Sequence, residues 1–72
     1  MLYKGFIKDD LLREDTKEAM FTKGIKIVDL ADSIGYSERS LYGYLSGRNK
    51  SKPIAEKLIM YFDFEEGRYN AI

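Results

Sequence analysis

Apolar residues recur along the chain at helical spacing, and glycine interrupts them at intervals. Leu11, Leu12, Ala19 and Met20 mark a first helix that Asp9 or Asp10 is placed to cap, with Leu12 and Ala19 two turns apart on one face. Gly24 follows where a left-handed helix end is wanted. Ile27, Leu30, Ala31 and Ile34 form one stripe of a short second helix, predicted over 27–33 and ended by Gly35. Ser37 is positioned to accept from the amides of a third helix, 38–46, with Leu41, Tyr44 and Leu45 inward and Gly47 beyond its end. Residues 48–52 make a polar loop. Pro53 opens a fourth helix, where a missing N–H costs nothing, and Ile54, Ala55, Leu58, Ile59 and Phe62 supply its buried face. The end of the chain adds a further turn or frays, and the apolar residues of its tail, Tyr69 and Ile72, either pair subunits or fold back. Only 2–7 has an extended character. Short helices with short connections predict an all-α, compact domain of four to five helices spanning the 72 residues.

Composition narrows the chemistry. The chain has no Cys and no His, which removes disulfides, thiol catalysis, structural zinc and imidazole acid–base chemistry. No apolar run approaches the length of a membrane span, so a cytoplasmic binding module is expected. Carboxylate pairs are plentiful, but carboxylate catalysis needs a concave pocket, and a domain of this length has little room for one. No phosphate loop, nucleophile elbow or metal-ligand spacing occurs. We therefore expect neither an enzyme nor a cofactor, metal or small-molecule substrate. Twelve basic and twelve acidic residues cancel. They are not evenly spread: residues 37–57 carry five basic and two acidic side chains, net +3. An anion-binding surface belongs there if there is one.

The most informative stretch runs over about 27–46. Two helices that cross closely need a small residue at the contact, which Ala31 provides, and a turn that accepts positive φ, which Gly35 provides. Leu30, Ile34, Leu41 and Tyr44 then face a shared core. With Leu30-Ala31-x-x-Ile34-Gly35-Tyr36-Ser37, Leu41, Gly47, Pro53 and Phe62, the chain resembles the lambda-repressor/Cro-like helix–turn–helix family from about residue 25 to 64. The resemblance implies a lambda-repressor-like fold whose third helix lies in the DNA major groove. Members commonly grip phosphate through Gln, Thr or Ser at the start of the second helix. Here Lys26, Ile27 and Val28 stand at those places, and one fixed anchor is missing. Over its whole length the chain is also similar to the modulator-of-repression antirepressors of temperate lactococcal phages. That second likeness implies a protein partner in a bacterial host, the N-terminal domain of the phage CI repressor that maintains lysogeny.

Two ligands follow. For operator DNA, the third helix offers Ser37, Glu38, Arg39, Ser40, Tyr42 and Gly43. Arg39 reads either as a bidentate guanine contact, worth about 1–3 kcal/mol of discrimination, or as a solvated charge. Glu38 reads either as an acceptor from cytosine or as a complement to the helix dipole. Tyr42, exposed beside Gly43, suits a protein interface or DNA equally. Arg48, Lys50 and Lys52 read as phosphate clamps or as a solvated loop. With Arg39 they make about four neutralising charges, a shallow salt slope of about −3.6. Weak lone DNA binding is expected. For a basic protein surface, the first helix offers Asp9, Asp10, Glu14, Asp15 and Glu18, flanked by Leu11 or Met20. The same acids also suit ordinary helix pairs, Glu14 with Lys17 and Asp9 with Arg13. The first expectation is an antirepressor. The alternative is a Cro-like dimeric repressor reading half-sites about 34 Å apart.

Overall fold

The computed structural model describes residues 8–69. The extended character expected at 2–7, and Ile72, lie outside the described residues. Four α-helices follow one another: α1, Asp9–Lys23; α2, Ile27–Ile34; α3, Glu38–Leu45; and α4, Lys52–Phe62, with a final 3-10 turn, Glu66–Arg68. Among the described residues there is no strand, and no helix is long and apolar enough to cross a membrane. The domain is all-α, with boundaries within a residue or two of those read from the apolar stripes.

The helix ends show why the boundaries were readable. Ser37 accepts the Ser40 amide at 3.1 Å and Ser51 accepts the Ile54 amide at 3.3 Å, each satisfying a donor that the helix itself leaves open. The first helix departs from expectation: residue 8 is a Lys with no side-chain cap, and Asp9 and Asp10 stand in the first turn, where they complement the dipole. Three helices end alike. Gly24, Gly35 and Asp63 adopt left-handed φ, and the amide after each reaches back five residues, Ile25 to Met20, Tyr36 to Ala31 and Phe64 to Ile59, at 2.9–3.0 Å. Asp63 does this with a side chain, at φ 57, which Asp tolerates better than most residues.

Leu12, Leu30, Ala31, Ile34, Leu41, Tyr44, Leu45, Ile54, Ala55, Leu58 and Ile59 form one core drawn from all four helices. Each buried Leu or Ile contributes about 1.5–3 kcal/mol relative to exposure. α2 packs on both α3 and α4, and α1 closes the other side against α4 and α3. Ala31, at 2% exposure, is buried where α2 meets its neighbours. One expectation is corrected. Phe62 is only half-buried and stacks on Phe64 with ring centroids 5.2 Å apart. Of the two alternatives for Tyr69, the structure has the folded-back one, with the side chain 1% exposed. The 3-10 turn folds it back beneath α1, where its carbonyl accepts the Lys8 amide at 2.7 Å. A phenol ring buries more apolar area there than a frayed tail would leave it.

Candidate functional site

The outward side of α3 is built by its own cap. The Ser37 hydroxyl, besides accepting the Ser40 amide, donates to the Ser40 hydroxyl at 2.9 Å, so both serines are engaged with each other. Glu38 and Arg39 project from the first turn, exposed, and neither forms an ion pair with another described residue. Tyr42, one turn on, is 55% exposed. Gly43 corrects the sequence reading. It is buried, and a Cβ built on it would lie 2.5 Å from the Asn49 side-chain nitrogen. Its carbonyl accepts the amides of Arg48 and Asn49 at 3.0 and 3.1 Å. The residue expected to open α3 to a ligand instead seats the following loop against the helix.

That loop carries Arg48 and Lys50, both exposed, while Lys52 lies half-buried in the first turn of α4. Arg13, which sequence reasoning treated as a surface charge, holds the loop in place. Its side chain is 10% exposed. Its Nε donates to the Tyr44 carbonyl at 2.6 Å, its Nη2 to the Asn49 carbonyl at 3.0 Å, and its guanidinium lies over the Tyr44 ring, 4.8 Å from the centroid. The remaining nitrogen pairs with Asp10 at 3.1 Å, not with Asp9.

The acidic face of α1 is narrower than its sequence suggests. Asp9 is half-buried and accepts the Tyr44 hydroxyl at 2.7 Å. Asp15 accepts Nε of Arg68 at 2.9 Å and the Tyr69 hydroxyl at 2.6 Å. The Arg68 hydrogen bond holds the Asp15 carboxyl below its ordinary range, and burial pushes the Tyr69 phenol up to about 12. Both acids are thus spent on internal contacts. Leu11 is half-buried and packs on the core. What remains outward is Asp10, Glu14 and Glu18, all exposed, with Lys17 among them. The expected Glu14–Lys17 pair is not formed. Phe21 completes this face. Eleven residues after Asp10 and seven after Glu14, it falls on the same side of a 3.6-residue helix and is 89% exposed. Sequence reasoning passed over it, although a large apolar residue in register with three acids was the available signal. Lys26 is exposed and does not cap α2 through its side chain, and Ile27 and Val28 after it carry no hydrogen-bonding side chain. Compared with protein-family models, curated proteins and solved structures, the chain matches none.

Proposed function

We propose that the protein is a small phage-type transcriptional regulator with a helix–turn–helix formed by α2, the turn at 35–37 and α3. On this reading it works in the bacterial cytoplasm as an antirepressor, binding the DNA-binding domain of the CI repressor and keeping it from the operator. The observation that carries this reading is the outward face of α1, where Asp10, Glu14 and Glu18 lead to an almost fully exposed Phe21. A repressor's operator-binding face is positive because it must meet phosphates. Carboxylates around an aromatic anchor suit such a face by steering and by apolar contact, and they repel DNA itself.

A Cro-like function, with direct operator binding by a dimer, is the second reading. Arg39 and Tyr42 open to solvent on α3, with Arg48 and Lys50 in the next loop, are the observation in its favour. Mixing the protein with the repressor's N-terminal domain and operator DNA, at stated salt, separates the two. Antirepression predicts that the repressor's gel shift disappears and that the protein alone gives none. Reversing charge at Asp10, Glu14 and Glu18 abolishes the effect under this reading, and Arg39→Ala leaves it intact. A robust shift from the protein alone, lost with Arg39→Ala, establishes the Cro-like function in its place.

A further inference from the structure

Arg13 and Arg68 both pair with a carboxylate of α1, and they do so differently. Arg13 is enclosed, its nitrogens committed to Asp10 and to two carbonyls. Arg68, in the final 3-10 turn, has a side chain 53% exposed and gives a single hydrogen bond, from Nε to Asp15 Oδ2 at 2.9 Å. Its Nη nitrogens meet no acceptor among the described residues. The Tyr69 hydroxyl donates to the same Oδ2, and Asp15 Oδ1 accepts from no described residue. Arg68 can therefore swing away while Tyr69 stays anchored and the core stays closed. Beside the pair lies a depression of about 380 Å³ between α1 and the returning chain, with Ala19, Phe64 and Tyr69 in its wall. Its other charged residues are Glu18, Glu65 and Lys23, all exposed and none in an ion pair among the described residues. Glu18 also belongs to the outward face of α1, so the depression adjoins that face.

We propose that Arg68 is an internal competitor of the partner's basic face: it occupies Asp15, and a cationic side chain of the partner, arriving past Glu18, replaces it there. The inference rests on the reading of α1 as the docking face and adds to it a restraint on that face. Arg68 itself shows which ligand the carboxylate takes, a guanidinium, and the open Oδ1 leaves an acceptor for one that binds through both oxygens. With Arg68 in place the acidic face stops at Glu18. With Arg68 displaced, Asp15 joins it. The unpaired acids around the depression outnumber Lys23, so an arriving cation is attracted and an anion repelled. The exchange trades one exposed ion pair for another, so Arg68 holds the partner's affinity down by about threefold, the scale of such a pair. Salt screens the internal pair and the incoming cation alike, so the effect is largest at low ionic strength.

The test compares the affinity of the repressor's N-terminal domain for the full-length protein and for Arg68→Gln, Arg68→Lys, Asp15→Asn and the Arg68→Gln/Asp15→Asn double variant. Competition predicts that Arg68→Gln tightens binding about threefold at low salt and that Arg68→Lys stays near the wild type. Asp15→Asn changes little, because it removes the internal and the intermolecular pair together. The decisive result is that the gain from Arg68→Gln vanishes in the double variant. A long-range field effect keeps the gain there, and a purely structural role makes Arg68→Gln weaken binding; either overturns the proposal. Circular dichroism checks that each variant is folded, as the exposure of Arg68 and the retained Tyr69 contact lead us to expect. A second arm needs no repressor. The Arg68 Nε–H resonance of the nitrogen-15-labelled protein is followed while tetra-arginine is added. Displacement shifts it and speeds its exchange with solvent, and the Glu18 amide shifts with it. An Arg68 resonance unmoved by the titration overturns the proposal. If the repressor domain binds with an affinity indifferent to Arg68, the competitor fails and antirepression stands. If tetra-arginine displaces Arg68 and the repressor domain binds no variant, the competitor stands and antirepression fails.

Discussion

Arg13→Ala is the most demanding single substitution that the structure offers. The side chain is 10% exposed and donates two hydrogen bonds across the α1–α3 contact, to the carbonyls of Tyr44 and Asn49, while stacking over the Tyr44 ring. Hydrogen bonds from a charged donor are worth about 1.5–3 kcal/mol each, and a cation over an aromatic ring about 0.5–2 kcal/mol. Desolvating the guanidinium opposes these gains. Asn49 is exposed, so water replaces that bond in the variant; the buried Tyr44 carbonyl loses its short charged partner and keeps the Gly47 amide at 3.1 Å. A net loss of about 2–4 kcal/mol follows, a large share of the stability of so small a domain. Thermal unfolding followed by circular dichroism should show Tm lowered by roughly 10–25 °C. Arg13→Lys keeps the charge without the planar fork and should recover less than half of the loss. Asp10→Ala removes only the exposed partner and should leave Tm nearly unchanged. If Arg13→Ala costs no more than Asp10→Ala, the assignment of Arg13 as the tie between α1 and the 46–50 loop is wrong.

Other positions yield sharper signs than sizes. Thr16 is fully buried and its hydroxyl has no hydrogen-bond partner among the described residues, so Thr16→Val should raise stability by about 1–2 kcal/mol in urea unfolding. Asp15 has a depressed folded-state pKa, so its stabilisation is complete above the unfolded value and is lost as pH falls through the folded one; Asp15→Asn should flatten the acid limb of Tm against pH. The Tyr69 phenol, raised from 10.0 to about 12, works in the opposite sense: its contribution is complete below pH 10 and lost as pH climbs toward 12, a dependence that Tyr69→Phe should remove. Gly43→Ala gains helix propensity but displaces the Asn49 side chain, so it should stabilise by about 0.5–1 kcal/mol only in an Asn49→Ala background. Melting the two single variants and the double variant reads that coupling directly.

How much of the site was legible follows from the range of each interaction. Ser37 and Ser51 cap through amides three residues away, and Gly24 and Gly35 close helices through bonds that span five, so the residue types alone announced them. The acidic face was half legible. Five acids within the first helix were visible, yet Asp9 is taken by a tyrosine 35 residues away and Asp15 by another 54 residues away. Nothing local distinguishes those two from Asp10, Glu14 and Glu18.

Periodicity and end chemistry in the sequence determined four helices, their limits and an apolar core, because these depend on backbone hydrogen bonds and side-chain spacing within a few residues. Only the packed chain decided that Arg13 lies inside, that Gly43 seats a loop and that Tyr69 is buried. It also decided that Phe21 is left outside on the same face as the exposed acids Asp10, Glu14 and Glu18, of which only Asp10 is paired, with Arg13. Each of these depends on which surfaces meet in space, and burial, unlike helix formation, is a property of neighbours that the linear order does not name.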